Sequence, residues 1–114
     1  MPLGLSILAL AIASEIAATL ALKASVGMTR PGYTVFAGLG YLAAFSLLAL
    51  CLRTVPVGTA YGIWAGVGTV GVALAAWWIF DEWPTAPTWL GLVLVAAGVV
   101  LLVVSPSSNP TELP

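Results

Sequence analysis

A chain of 114 residues in which 61% of positions are hydrophobic and 6% are charged, with a mean hydropathy of +1.14 and a formal net charge of -1, is too apolar for an ordinary soluble domain. It belongs in a membrane. With no histidine, one cysteine (Cys51) and three basic residues, it offers no transition-metal site, no intrachain disulfide and no basic patch for nucleic acid.

Crossing about 30 Å of hydrocarbon at about 1.5 Å per residue takes about 20 residues, and four runs meet or approach that length. The first covers about residues 3–24 and is interrupted only by Glu15 before it ends at Lys23, whose long stem can carry its ammonium to the interface. Ala11, Ile12 and Ala13 imitate a signal-peptidase site, but a basic leading region is missing and the apolar pattern runs on to Leu22. A retained helix is therefore expected, with a cleaved leader as the alternative. Turn chemistry follows in Gly27, Arg30, Pro31 and Gly32, and a second helix is predicted over about 33–52.

A short connection through Arg53 and Pro56 leads to a third helix over about 57–80, Pro56 suiting the first turn because its missing N–H is unpaired there anyway. Asp81 and Glu82 open the most polar interior loop, with Trp77, Trp78, Trp83 and Trp89 on either side in the manner of an interfacial aromatic belt. The fourth helix is predicted over about 88–104. Residues 105–114 have no apolar periodicity and three prolines, which reads as a disordered tail. The expected architecture is thus an all-α membrane protein, with one four-helix transmembrane domain over residues 1–104 and no room for a soluble domain.

Four spans put the Arg53 loop on one side of the membrane, and the loops holding Arg30 and Asp81–Glu82 on the other. The positive-inside rule then weighs Arg53 against Lys23 and Arg30, a bias that is nearly absent. Insertion in both orientations would permit an antiparallel dimer; a single orientation set by smaller effects is the alternative.

Glu15 is the only acidic residue inside an apolar run. A charged side chain at the bilayer centre costs about 2.5–3.5 kcal/mol even on insertion scales, so such residues usually mark ion or substrate pathways. Helical spacing places Leu8, Ala11, Ile12, Ala18, Thr19 and Leu22 on its face, and small Ala11, Ala18 and Thr19 leave room for a ligand or a neighbouring helix. No Lys or Arg lies at its depth. Its partner must then be a proton, a metal cation or an organic cation, unless a protonated Glu15 simply hydrogen-bonds across a helix interface.

Tyr61 and Trp64, three residues apart, share one face of the third helix. Trp64 lies away from the interfacial belt, where its π-face can meet a cation; packing in a bundle core is the plain alternative. Tyr41 on the second helix adds a hydroxyl that needs a partner near the membrane centre. Gly62 and Gly66 have the spacing of close helix contact, whereas Gly66 and Gly68 suggest a hinge, and both readings can hold. Gly91 and Gly98, two turns apart on an otherwise unreactive fourth helix, read as a dimer contact.

The lone Glu15 in a first helix, then Lys23 and a turn ending in Met28, Thr29 and Arg30, then residues 56–68 (PVGTAYGIWAGVG), resemble the small multidrug resistance transporters in the family's own order. The resemblance covers nearly the whole chain except the tail. It implies an antiparallel homodimer in a prokaryotic plasma membrane, a multi-pass protein exporting lipophilic or aromatic cations in exchange for protons, with no cofactor and no metal. Glu15 corresponds to the family's essential carboxylate, where proton and substrate compete, and Tyr41, Tyr61 and Trp64 to its substrate-lining aromatics. Gly66, Val67 and Gly68 fall on the bend of the third helix, and Gly91 and Gly98 on the dimer contact.

A guanidinium-exporting branch of the family tends to carry Trp three residues after the essential Glu; Ala18 stands there, which with Thr19 and Tyr41 looks more like the quaternary-ammonium and multidrug branch. Ala44 and Ala65 occupy places where many relatives have a hydroxyl, a departure that bears on the polar network around Glu15. The rival readings are a guanidinium exporter of the same family and a non-transporting partner subunit or membrane scaffold. An enzyme is not expected, because no second acid, His or nucleophile accompanies Glu15.

Overall fold

The computed structural model describes residues 2–105. Of the expected tail, all but Ser105 lies outside the described residues. Four α-helices follow in order: α1 (Pro2–Ala24), α2 (Pro31–Cys51), α3 (Val57–Phe80) and α4 (Ala86–Val104). Each is long and apolar enough to cross a membrane, and the chain is a multi-pass membrane protein.

Helices α2 and α4 begin two residues earlier than the sequence reading of 33 and 88. Both starts include a proline in the first turn, Pro31 in α2 and Pro87 in α4. Proline loses nothing there, since the first amides of a helix have no intrahelical acceptor and its fixed φ is already helical. The residues read as turn punctuation are therefore the opening of the helix itself. At the other end α2 stops at Cys51, with Leu52 as its cap rather than its last residue.

The α1–α2 connection is tied by one side chain. Ser25 is fully buried, donates through its hydroxyl to the Leu22 carbonyl at 2.6 Å and accepts the Met28 N–H at 2.9 Å. Around that knot Val26, Gly27 and Met28 all take positive φ, at 51°, 68° and 65°. A β-branched residue such as Val26 seldom adopts this conformation, so the turn is held by its hydrogen bonds against local preference. At the end of α3, Asp81 is left-handed (φ 59°) and the Glu82 N–H returns to the Ala76 carbonyl at 3.3 Å, which fixes where Glu82 leaves the helix.

Helix α1 packs against both α2 and α3, and α4 packs against α3. The buried core, formed by Leu8, Ile12, Leu48, Cys51, Val55, Ala60, Ile63 and Trp64, gathers toward the Arg53 end of the bundle. Lipid tails are as apolar as these side chains, so close backbone approach, rather than burial from water, favours such contacts. The Gly62 and Gly66 spacing serves this purpose within one chain: a Cβ on Gly66 would overlap Val99 of α4, and one on Gly62 would lie 2.6 Å from Leu102. Gly91 and Gly98, by contrast, have nothing within 4 Å, and most of α4 faces outward.

Candidate functional site

Glu15 sits midway along α1 with its carboxylate against α3. A Cβ on Gly68 would lie 2.8 Å from Glu15 Oε2, so only a residue without a side chain leaves the carboxylate where it is. The other oxygen, Oε1, accepts a hydrogen bond from Thr19 Oγ1 at 2.9 Å, one turn along the same helix. Thr19 Oγ1 is also 2.6 Å from the Tyr41 hydroxyl of α2. A threonine hydroxyl has a single proton. With that proton given to Glu15, the Tyr41 O–H donates to Thr19, and the direction of the chain runs Tyr41 to Thr19 to Glu15.

Among the described residues two buried side-chain polar atoms have no hydrogen-bond partner, and both belong here: Glu15 Oε2 and Trp64 Nε1. Buried polar atoms are nearly always satisfied, and exceptions call for a reason such as a missing ligand. The lone salt bridge among the described residues, Lys23 to Glu82, leaves Glu15 without a protein cation.

Both residues line a cavity of about 510 Å³ that runs along α3 from Tyr61 to Glu82. Its wall includes Glu15, Thr19, Tyr61, Trp64, Ala65 and Gly68, continues through Thr69, Val72, Ala73 and Ala76, and carries no Lys or Arg. Thr69 turns its hydroxyl to its own helix, donating to the Ala65 carbonyl at 2.6 Å. Two carboxylates and two aromatic rings around a largely apolar groove are chemistry suited to an organic cation. No group of three or more His, Cys, Asp or Glu that would hold a metal occurs among the described residues.

Trp64 is braced from two sides. Phe45 of α2 and Tyr61 meet it edge-to-face, with ring centroids at 5.3 and 5.6 Å, and Phe45 stacks in turn on Tyr41 at 6.4 Å. Rings in such an array hold one another's rotamers, so the indole is positioned before any ligand arrives.

A family model described as "Small Multidrug Resistance protein" matches residues 3–95. The chain belongs to that family. It is 42% identical over 95 residues to the multidrug transporter PA4990 of Pseudomonas aeruginosa, covering 83% of this chain and 86% of that protein. It is 38% identical over 100 residues to the multidrug transporter EmrE of Escherichia coli K12, covering 88% and 91%. With the quaternary ammonium compound-resistance protein QacE of Escherichia coli it shares 38% over 99 residues, covering 87% and 90%.

In this small multidrug resistance protein, Glu15, Thr19, Tyr61 and Trp64 line one cavity, and Tyr41 reaches it through Thr19. Ala11 and Ala18 do not line it. Both are fully buried, and Ala18 lies under Gly40 of α2, where a Cβ on Gly40 would come within 2.8 Å of the Ala18 side chain. Their smallness serves helix contact, the alternative that helical spacing alone left open. Ala44 is likewise fully buried, whereas Ala65 is on the cavity wall, so of the two missing hydroxyls only the one at Ala65 would face a ligand.

Three contributors escaped the sequence reading. Phe45 had a signal, since it follows Tyr41 by four residues and shares its face. Gly68 is legible in the sequence as a hinge glycine, whereas its contact with the carboxylate depends on how α1 and α3 cross. Glu82 looked like ordinary loop polarity.

The Gly68 contact gives a direct expectation. Gly68→Ala should fold and insert, because the group it displaces is the end of a flexible side chain. Cation affinity should nonetheless fall by about 5- to 150-fold, matching an overpacking cost of about 1–3 kcal/mol at the carboxylate. Gly58→Ala, also on α3 but with nothing within 4 Å, is the control, and fluorescence titration of an aromatic cation is the measurement.

Proposed function

We propose that the chain is a proton-coupled antiporter that exports lipophilic, aromatic or quaternary ammonium cations, working as an antiparallel homodimer in which protons and substrate compete for the two Glu15 carboxylates. The observation that carries this reading is that Glu15, whose buried Oε2 has no hydrogen-bond partner, lines a cavity that holds aromatic rings and no basic residue. One carboxylate oxygen can hold a proton or pair with a cation and not both at once, so protonation and cation binding exclude each other there. If the dimer reorients only when Glu15 is protonated or loaded, a proton gradient drives export through that exclusivity.

The dimer reading draws on separate features. Helix α4 turns Gly91 and Gly98 outward with open space before them, which suits close approach of a second α4. Lys23 is taken up by Glu82, which leaves Arg30 and Arg53, among the described residues, as one unpaired guanidinium for each side of the membrane. That balance suits insertion in both orientations. Gly66 to Gly68 is the stretch of α3 proposed to bend as the cavity changes sides; its two glycines set the backbone directly against Val99 and Glu15.

The test is equilibrium binding of an aromatic cation to the purified chain across pH. Affinity should fall as pH drops, because protons then compete with the cation for the carboxylates. Binding that stays flat from acid to alkaline pH refutes competition. Liposomes holding this chain alone that move guanidinium compounds in preference to quaternary ammonium ones would reassign the cargo, and liposomes that move neither until a second protein is added would favour a partner-subunit role.

A further inference from the structure

Glu15 is not the only carboxylate on the cavity wall. Glu82, the first residue beyond the left-handed cap of α3, lines the same cavity at its outer end. Its backbone is fixed by the bond from its N–H to the Ala76 carbonyl, and Ala76 is itself a wall residue. Its side chain is paired with Lys23, the last charged residue of α1, with Nζ 2.9 Å from Oε2 and the two side chains 60% and 48% exposed. The neighbouring Asp81 is occupied differently: it accepts the Trp83 indole N–H at 2.8 Å and takes no part in the cavity wall.

An ammonium held on a half-exposed carboxylate is easily exchanged, because such pairs contribute little in water and salt screens them. We propose that Glu82 is an outer cation station of the Glu15 cavity, occupied by the Lys23 ammonium until an incoming organic cation displaces it. This rests on the transport reading above and adds to it a loading step. The arriving cation exchanges with Lys23 at Glu82, then moves along the Trp64-bearing wall to Glu15, and Lys23 returns to Glu82 behind it. No bond is made or broken, and charge is balanced throughout, because one monocation replaces another.

Breaking the pair from its two ends separates this role from a structural one. Glu82→Gln and Lys23→Gln remove the same salt bridge, so a purely structural tie predicts the same change in both. A cation station predicts opposite changes. In stopped-flow fluorescence with ethidium as the aromatic cation, Glu82→Gln should slow association by about two- to fivefold at low ionic strength and flatten its salt dependence. Lys23→Gln, which frees the carboxylate, should speed association by a similar factor. Asp81→Asn makes the same charge change one residue away, tolerates the left-handed backbone, and should leave the rate constant unaltered.

Equal association rates in Glu82→Gln and the wild-type chain overturn the proposal, as do equal changes from Glu82→Gln and Asp81→Asn or changes of one sign in Glu82→Gln and Lys23→Gln. Those results would leave Glu15-dependent binding standing. If the wild-type chain binds ethidium no better than Glu15→Gln, the transport reading fails and the outer station fails with it.

Discussion

Glu15→Gln should reach the membrane in normal amount and carry no proton-driven cation flux. The substitution removes the charge and keeps nearly the same shape, and the amide oxygen can still accept the Thr19 hydroxyl that now bonds Oε1 at 2.9 Å. The helix loses nothing it needs for insertion, since a neutral amide is cheaper in hydrocarbon than a carboxylate. What goes is the atom at which, in the proposed mechanism, a proton and a cation displace each other. Removing one partner of a partly buried charge pair costs about 2–5 kcal/mol, which is about 30- to 5000-fold in Kd. Flux into acid-loaded liposomes, with protein insertion measured in parallel, checks both halves; substantial gradient-driven uptake by Glu15→Gln would show that the carboxylate is not the coupling group.

The second large effect is expected at Trp64, where shape and electronics can be separated. A desolvated cation over an indole face gains about 2 kcal/mol, so Trp64→Ala should weaken binding of an aromatic cation by about 30-fold. Trp64→Tyr keeps a π-face braced by Phe45 and Tyr61 and should lose much less. Since Trp64 also belongs to the buried core, the alanine variant loses packing as well, and thermal stability should be recorded beside affinity. If the tyrosine and alanine variants lose equal affinity while remaining folded, Trp64 acts by packing and not by stacking.

Much of the molecule could be read before any coordinate. Four runs of about 20 apolar residues separated by Gly, Pro and charge leave a chain little choice but four helices, because hydrocarbon demands that every backbone amide be satisfied within its own segment. The later helix starts came from placing Pro31 in the turn and from beginning the fourth helix one residue after Pro87, although a first-turn proline continues a helix. Glu15 announced itself by cost alone. Tyr61 and Trp64 followed from spacing along a single helix, which sequence records directly.

Which faces meet was not recorded in that way. Spacing put Ala11 and Ala18 on the same face as Glu15 and could not say whether smallness there made a ligand space or a helix contact; both are buried, and Ala18 lies under Gly40. The glycines of α3 were legible as a set and divided only in three dimensions, Gly62 and Gly66 admitting Leu102 and Val99 of α4, and Gly68 admitting the Glu15 carboxylate of α1. Glu82 is 67 residues from Glu15 in the chain, and the two line one cavity because α1 and α3 pack together and the α3 cap turns Glu82 back toward Lys23.

The sequence by itself determined that this is a four-helix membrane protein with one unpaired acid at mid-membrane and an aromatic pair at helical spacing, because hydrophobic length and the cost of a buried charge are properties of single segments. The tertiary structure decided the rest: the order of donors from Tyr41 through Thr19 to Glu15, the side-chain-free gap at Gly68, and the sharing of one cavity by two carboxylates. Those depend on how helices cross, and crossing is set by a few small residues whose effect is felt only when a second helix is placed against them.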